Sequence, residues 1–260
     1  MKREMSVAGS FYPQEPQEIL RYFDHFNKVL KENSIELTKK SRAVVVPHAG
    51  YVYSGFSANM AYQVLKNSNA KNVAIIGPSH KVGFNGVSLG DFKSYDTPFG
   101  KIESSSSLHM QFQNKFSLPF FPQAHAEHST EVQFPFIKHY LPKTSIVELV
   151  YSNMKSEELE KVIEYILSLE NTAVVISTDL SHFHTLNEAN KIDSYCLKAM
   201  QDTDPNALVQ CEACGKIGLK ALLLYANKKS LNSKVLDYRT SADASHDKTR
   251  VVGYMSGYVD

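Results

Sequence analysis

The stretch Val44-Val45-Val46-Pro47-His48-Ala49-Gly50-Tyr51 decides the fold, and Val73-Ala74-Ile75-Ile76-Gly77-Pro78-Ser79-His80 repeats its pattern. In each stretch a short apolar run is followed by a break and then by a histidine. A continuous apolar run of this length is typical of a strand buried on both faces. Proline cannot continue a central ladder, so each strand should end at its break. The pattern therefore predicts His48 and His80 just beyond the carboxyl ends of two strands, where open α/β sheets bind ligands.

The rest of the chain alternates between strand-like and helix-like segments. Strands are predicted at 42–46, 73–77, 145–150, 172–177, 234–238 and 251–259. Helices are predicted at about 16–30, 57–65, 106–116, 129–140, 156–170, 187–200 and 215–226, with a turn between Gly50 and Gly55. This alternation predicts one α/β domain over residues 1–260, with a mostly parallel mixed sheet and helices on both faces.

The composition excludes several classes of protein. The net charge of +1 gives no bulk field that would attract nucleic acid or an acidic membrane. The N-terminus shows no signal peptide, and no apolar run is long enough to span a bilayer. With three cysteines and no signal peptide, we expect reduced thiols and a cytoplasmic protein. No P-loop, dinucleotide fingerprint or G-x-S-x-G motif supports nucleotide-dependent or serine-hydrolase chemistry.

Acids and imidazoles follow other predicted strand ends and loops. They form the pairs Asp179 with His182, Glu127 with His128, and Asp243 with His246. Parallel strands would bring such groups to one edge of the sheet, as a metal or acid–base site requires. Each group alone has a structural alternative: Asp179 could cap a helix, and Asp243 lies in a common turn composition.

Two neutral imidazoles and one carboxylate, with coordination positions left open, form the ligand set of non-heme Fe(II) sites that activate dioxygen. A histidine oriented by a neighbouring carboxylate is a good proton donor or acceptor. We therefore assign catalysis to His182 with Asp179, and to His128 as a further candidate. The residues assigned to the pocket wall and to substrate binding are Tyr51, Tyr53, Glu127 and His246.

Five motifs, in order over nearly the whole chain, resemble the MEMO family, which in prokaryotes is protein B of the AmmeMemoRadiSam system. They are Ala8-Gly9-Ser10-Phe11-Tyr12-Pro13, Pro47-His48-Ala49-Gly50-Tyr51, Gly77-Pro78-Ser79-His80, Glu127-His128-Ser129-Thr130-Glu131 and Ser177-Thr178-Asp179-Leu180-Ser181-His182. The family is similar in fold to class III extradiol ring-cleaving dioxygenases, whose iron is held by two histidines and a glutamate. The resemblance implies a ligand role for His48 and His80 and a pocket role for Asp179 and His182.

The third metal ligand is where this chain departs from the family. Animal members have a cysteine ligand, which the resemblance places in the segment matching Tyr238–Tyr254, and the ungapped match puts Ala244 there. Alanine cannot bind metal, so Asp243 is the expected third ligand, with His246 as the second choice. Cys214-Gly215 also resembles a Cys-Gly pair of the family, and the sequence assigns it no role.

Three functions remain open at this point. The first is an Fe(II)-dependent oxidoreductase acting on a small aromatic or phenol-like substrate with dioxygen. The second is a non-catalytic module that binds a peptide or sequesters iron or copper. The third is a metal-dependent hydrolase, with zinc and a metal-bound water. The resemblance also implies radical SAM and AMMECR1-like partners from the same system, which favours an enzyme.

Overall fold

The computed structural model describes residues 1–260. Its strands are β1 (Lys2–Arg3), β2 (Ala43–Val46), β3 (Asn72–Pro78), β4 (Val87–Leu89), β5 (Ser94–Tyr95), β6 (Ile102–Glu103), β7 (Ser145–Tyr151), β8 (Thr172–Ser177), β9 (His182–His184), β10 (Ser233–Thr240) and β11 (Val251–Val259). Its α-helices are α1 (Pro16–Glu32), α2 (Tyr51–Lys66), α3 (Ser106–Phe116), α4 (His128–Glu131), α5 (Phe134–Tyr140), α6 (Ser156–Ser168), α7 (Leu186–Asp202), α8 (Lys216–Lys228) and α9 (Ala242–Ser245).

A mixed sheet of eight strands forms the centre of the molecule, in the order β10-β11-β2-β8-β3-β7-β4, with β9 paired to β11. The four strands β2, β8, β3 and β7 run parallel to one another. The outer strands β4, β10 and β11 are antiparallel to their neighbours. A smaller sheet joins β1, β5 and β6. The predicted α/β fold with a mixed sheet and helices on both faces is confirmed, and the parallel strands are the four central ones.

The two faces of the central strands belong to different cores, which explains their continuous apolar runs. In β2, Val45 packs in one core with α6 and α8, whereas Val44 packs in the other with α1 and α2. Successive side chains of a strand point to opposite faces, so a strand covered by helices on both sides needs apolar residues at every position.

Two predicted element boundaries were wrong. The segment after Gly50 is the first turn of α2, because the N–H groups of Tyr53 and Ser54 both donate to the carbonyl of Gly50. The predicted helix over 129–140 is divided into α4 and α5, with Glu127 capping α4 by accepting from the His128 N–H. None of the α-helices combines the length and the hydropathy that a membrane-spanning helix requires.

The cysteines differ from the prediction of reduced thiols. Cys196 of α7 and Cys211 form a disulfide, and only Cys214 is free. The paired cysteines are 15 positions apart, and the residues between them carry no pattern that would have revealed the bond. The disulfide joins α7 to Cys211, which lies three residues before Cys214.

Candidate metal site

Three imidazoles meet at the carboxyl edge of the parallel strands. His48 follows β2, His80 follows β3, and His128 begins α4. Their candidate ligand atoms all lie within 4.8 Å of one another. The ring centroid of His48 is 5.3 Å from that of either partner, and the His80 and His128 centroids are 4.5 Å apart. The structure thus brings His48 and His80 together as their positions predicted, and it adds His128, which the sequence had assigned to catalysis.

The close approach of α4 to β3 depends on Gly77. A Cβ atom at this position would lie 2.6 Å from the Ser129 Oγ and 2.9 Å from the Thr130 Cγ2. Any side chain would therefore push α4 away from the strand end. The Ser129 hydroxyl also donates to the carbonyl of Pro78 at 2.7 Å, which fixes the helix over the end of β3. These contacts place His128 beside His80.

The carboxylate of Glu127 orients two of the three rings. Its Oε1 lies 3.0 Å from the His80 Nδ1 and 2.8 Å from the His128 Nδ1, and its Oε2 accepts from the His80 backbone N–H at 2.7 Å. Burial would raise the pKa of Glu127, but the hydrogen bonds from His128 and His80 outweigh it and hold that pKa well below its usual range. Glu127 was predicted to bind substrate; it is instead a buried, ionised acceptor that occupies the Nδ1 atoms of both rings and leaves their Nε2 atoms free.

His48 is oriented by Ser177 at the end of β8. The Ser177 hydroxyl donates to the Ser129 carbonyl, so its oxygen accepts from the His48 Nδ1, 2.9 Å away. Burial and the neighbouring imidazoles of His80 and His128 lower the pKa of His48 well below its ordinary value. His48 is therefore neutral, with the lone pair of its Nε2 facing the cluster.

Cys214 lies beside this cluster, next to His48, and the sequence analysis left it without a role. Its Sγ lies 3.2 Å from the His48 Nε2 and accepts from the Asp179 N–H at 3.2 Å. Burial raises the pKa of the thiol to about 12. The adjacent Gly215 makes this position possible, because a Cβ there would lie 2.7 Å from the carbonyl oxygen of Ser177. The Cys-Gly pair was the signal that could have revealed this donor.

Asp179 and His182 do not form the predicted pair. The Asp179 carboxylate accepts from the His48 backbone N–H at 2.7 Å, and burial raises its pKa. The His182 Nδ1 instead donates to the Leu180 carbonyl, 2.7 Å away. A backbone carbonyl therefore fixes the His182 ring and leaves its Nε2 free. The ring lies near enough to His48 to contribute to lowering the pKa of that residue.

Asp243 and His246 are not part of the cluster, so their assignment as third ligands is corrected. The Asp243 carboxylate accepts from the Thr240 backbone N–H at 2.7 Å and lies at the exposed start of α9. His246 ends the same helix with a φ of +62° and is exposed to solvent. Both residues are held by local turn structure, which is the alternative that the composition around Asp243 had left open.

The predicted pocket tyrosines have different environments. Tyr51 is buried and its hydroxyl donates to the Val132 carbonyl at 2.9 Å, whereas Tyr53 is exposed. Both line a cleft of about 620 Å³ formed with the segment Gly9–Glu15. Phe11 separates this cleft from the cluster, since its ring lies 4.7 Å from that of His128. Tyr53 thus borders a cleft next to the site rather than the site itself.

The donor set of the cluster fits a transition-metal ion. It offers three imidazole nitrogens with free lone pairs and one nearby thiol, and these are ligands that suit iron, copper and zinc. The ionised carboxylate of Glu127 behind the rings would offset part of the charge of a cation. The carboxylate ligand expected from the sequence is absent from the cluster.

Comparisons with known proteins agree with the fold and the motifs. A MEMO1 family protein from Methanobrevibacter smithii is 31% identical, with 99% of each chain covered. One from Archaeoglobus fulgidus is 29% identical, with 97% of each chain covered. The crystal structure of an uncharacterized protein, JW3007, from Escherichia coli K12 is similar with a TM-score of 0.53, covering 84% of this chain and 99% of that one at 12% identity, a likeness of fold alone. The family model described as Memo-like protein matches residues 3–258, and this chain therefore belongs to that family.

Proposed function

We propose that this protein binds a single Fe(II) ion and acts as an oxidoreductase on a small aromatic or phenol-like substrate. The observation that carries the proposal is the meeting of three imidazoles, from three separate segments, with their ligand atoms within 4.8 Å. The Nδ1 of each ring has a polar partner, which is the Ser177 hydroxyl or the Glu127 carboxylate, and this leaves the three Nε2 lone pairs available to a cation. Bringing these lone pairs together does not stabilise the protein unless a cation binds them, so the arrangement is typical of a metal site.

The choice of Fe(II) rests on the donor types. Imidazole binds iron, zinc and copper, and the thiol of Cys214 adds a soft donor next to the His48 Nε2. Bound Fe(II) would supply the electrons needed to activate dioxygen. The likeness in fold between this family and ring-cleaving dioxygenases, which the motifs imply, supports a phenol-like substrate.

The protein's own groups would bind the substrate and move its proton. The His182 Nε2 is free because the Leu180 carbonyl holds the Nδ1, so this ring can accept a proton from a phenolic hydroxyl. Phe11 offers an aromatic surface beside His128 against which a substrate ring can pack. The radical SAM and AMMECR1-like partners implied by the family remain predictions.

A metal-dependent hydrolase is the second candidate, and one observation favours it. The cluster contains three imidazoles and no carboxylate, which is the ligand set of catalytic zinc sites that activate water. In this case zinc would replace iron, and His182 would serve as the base. Non-catalytic metal storage would use the same ligands and is distinguished by the absence of turnover.

The test begins with metal analysis of protein purified without oxygen. We expect about one Fe(II) per chain in the wild type and loss of the metal in the double variant His48→Ala with His80→Ala. The matched control is His184→Ala, since His184 is paired with the exposed Glu212 outside the cluster. Catechol-type substrates with Fe(II) and dioxygen should then give ring-opened products in the wild type and not in His182→Ala.

Each alternative outcome has a defined meaning. Zinc instead of iron, with water-dependent turnover of an ester, would support the hydrolase. An iron-loaded protein that leaves every phenolic substrate unchanged would support storage. A wild type that binds no transition metal would refute the metal site, and the oxidoreductase proposal with it.

A further inference from the structure

The N-terminal segment is attached to the histidine cluster through one buried cation, Arg3. Its side chain is 6% exposed although it lies on the two-residue strand β1. The Arg3 Nη2 donates to the carbonyl of Glu127 at 3.2 Å, and its Nη1 lies 2.8 Å from the Glu131 Oε2. Glu127 caps the start of α4 and Glu131 is its last residue. The guanidinium thus contacts both ends of the one-turn helix that carries His128.

Glu131 extends this attachment along the same segment. Its Oε1 accepts from the backbone N–H groups of Ser6 and Val7, at 2.7 and 2.8 Å, and from the hydroxyl of Tyr12 at 3.0 Å. Phe11, which precedes Tyr12, packs its ring on His128. One carboxylate therefore holds the whole stretch from Ser6 to Tyr12 against α4.

Arg3 is a cation shared by two buried carboxylates of this region. Glu131 and Glu148 are both fully buried carboxylates, and the Arg3 guanidinium lies between them, with its Nε 3.8 Å from the Glu148 Oε1. His125 is the other basic group on Glu148, at 2.8 Å. A buried carboxylate whose cation is removed must draw in water or move. Since Glu131 belongs to α4, such a movement would carry His128 with it.

We infer that Arg3 is a positioning residue for the metal site. It acts through Glu127 and Glu131, and it sets the distance between His128 and the two histidines that follow β2 and β3. The inference rests on the proposed metal binding. Lysine cannot replace arginine here, because an ammonium group is a point charge that cannot contact the Glu127 carbonyl and the Glu131 carboxylate together in the same fixed geometry.

The test measures Co(II) affinity, by calorimetry and by the visible absorption bands that report its coordination geometry. We expect Arg3→Lys to bind Co(II) about 10- to 100-fold more weakly than the wild type, the usual effect of losing a group that supports the ligands. Its absorption bands should change as well, since one imidazole is displaced. Lys2→Gln is the matched control, because Lys2 is the neighbouring cation of β1 and pairs with the exposed Glu4 and with Asp96.

A second control separates positioning from general loss of stability. Ile163 lies on α6 and packs in the core on the face of the sheet opposite α1 and α2. Ile163→Val removes one methylene from that core. It should lower the melting temperature and leave Co(II) affinity and spectrum unchanged. If Arg3→Lys binds Co(II) like the wild type, or if Ile163→Val weakens binding as much, the positioning role is refuted while the metal site stands. A wild type that binds no Co(II), Fe(II) or Zn(II) would instead refute the proposed function.

Discussion

Replacing Glu127 by glutamine tests whether this carboxylate orients the histidines of the cluster for metal binding. The carboxylate of Glu127 accepts from four N–H groups, which are the backbone and Nδ1 groups of His80 and of His128. A glutamine side chain has one oxygen, and its NH₂ group can only donate. If the amide oxygen takes the place of Oε1, it still accepts from both rings, but the NH₂ group faces the backbone N–H of His80. If it takes the place of Oε2, the NH₂ group faces both Nδ1 atoms, and both rings would turn a protonated Nε2 towards the cluster.

The expected magnitude follows from the number of lost contacts. Hydrogen bonds to a charged group contribute about 1.5 to 3 kcal/mol each, and part of this is recovered when the freed N–H groups meet water. We expect Glu127→Gln to weaken Co(II) binding about 10- to 100-fold, which corresponds to ~1.4 to ~2.8 kcal/mol. Nitrogen-15 spectra of the histidine rings should show the Nδ1–H form for both His80 and His128 in the metal-free wild type, and a larger fraction of the Nε2–H form for both rings in the variant, because the two Nδ1 atoms share one carboxylate oxygen.

A surface pair of the same type provides the control. The His184 Nε2 lies 2.9 Å from the Glu212 Oε2, and Glu212 is exposed. Glu212→Gln should therefore leave metal affinity and the cluster tautomers unchanged. The reasoning is refuted if Glu127→Gln binds Co(II) within twofold of the wild type, or if both cluster rings keep their tautomers.

Three further predictions follow from the fold and the site. Replacing Cys196 and Cys211 together by alanine should lower the free energy of unfolding by about 3 kcal/mol, measured by denaturant titration, because their disulfide closes a loop of 15 residues. Burial would raise the pKa of Glu148, but its ion pairs with His125 and Arg3 outweigh burial and lower that pKa below the ordinary 4.5. The free energy of unfolding of the wild type should therefore fall as the pH drops below 4.5, where the unfolded chain binds the proton more readily. Glu148→Gln should make this acid dependence shallower. His182→Ala should lower turnover of an active substrate about 100- to 10,000-fold while metal content stays constant.

The central fold could be predicted because its information is local. Each parallel strand is buried on both faces, so its apolar run is unbroken, and each ends at a proline, glycine or polar residue. The same breaks place His48 and His80 at one edge of the sheet, whatever the details of packing. The start of α2 was missed because Gly50 and Gly55 resemble a turn, although the Gly50 carbonyl already accepts the first helical hydrogen bonds.

The remaining donors could not be predicted because they depend on contacts between distant segments. Asp243 had the residue type of a metal ligand, yet Thr240, three positions away, satisfies its carboxylate locally. Cys214 lay in a segment with no strand before it, yet Gly215 lets that segment approach the end of β8 until a Cβ would collide with Ser177. An acidic residue in a turn finds hydrogen-bond donors among its neighbours in the sequence. A cysteine followed by a glycine has no such local partner. The residue without a local partner is therefore the better candidate for a role that the tertiary structure supplies.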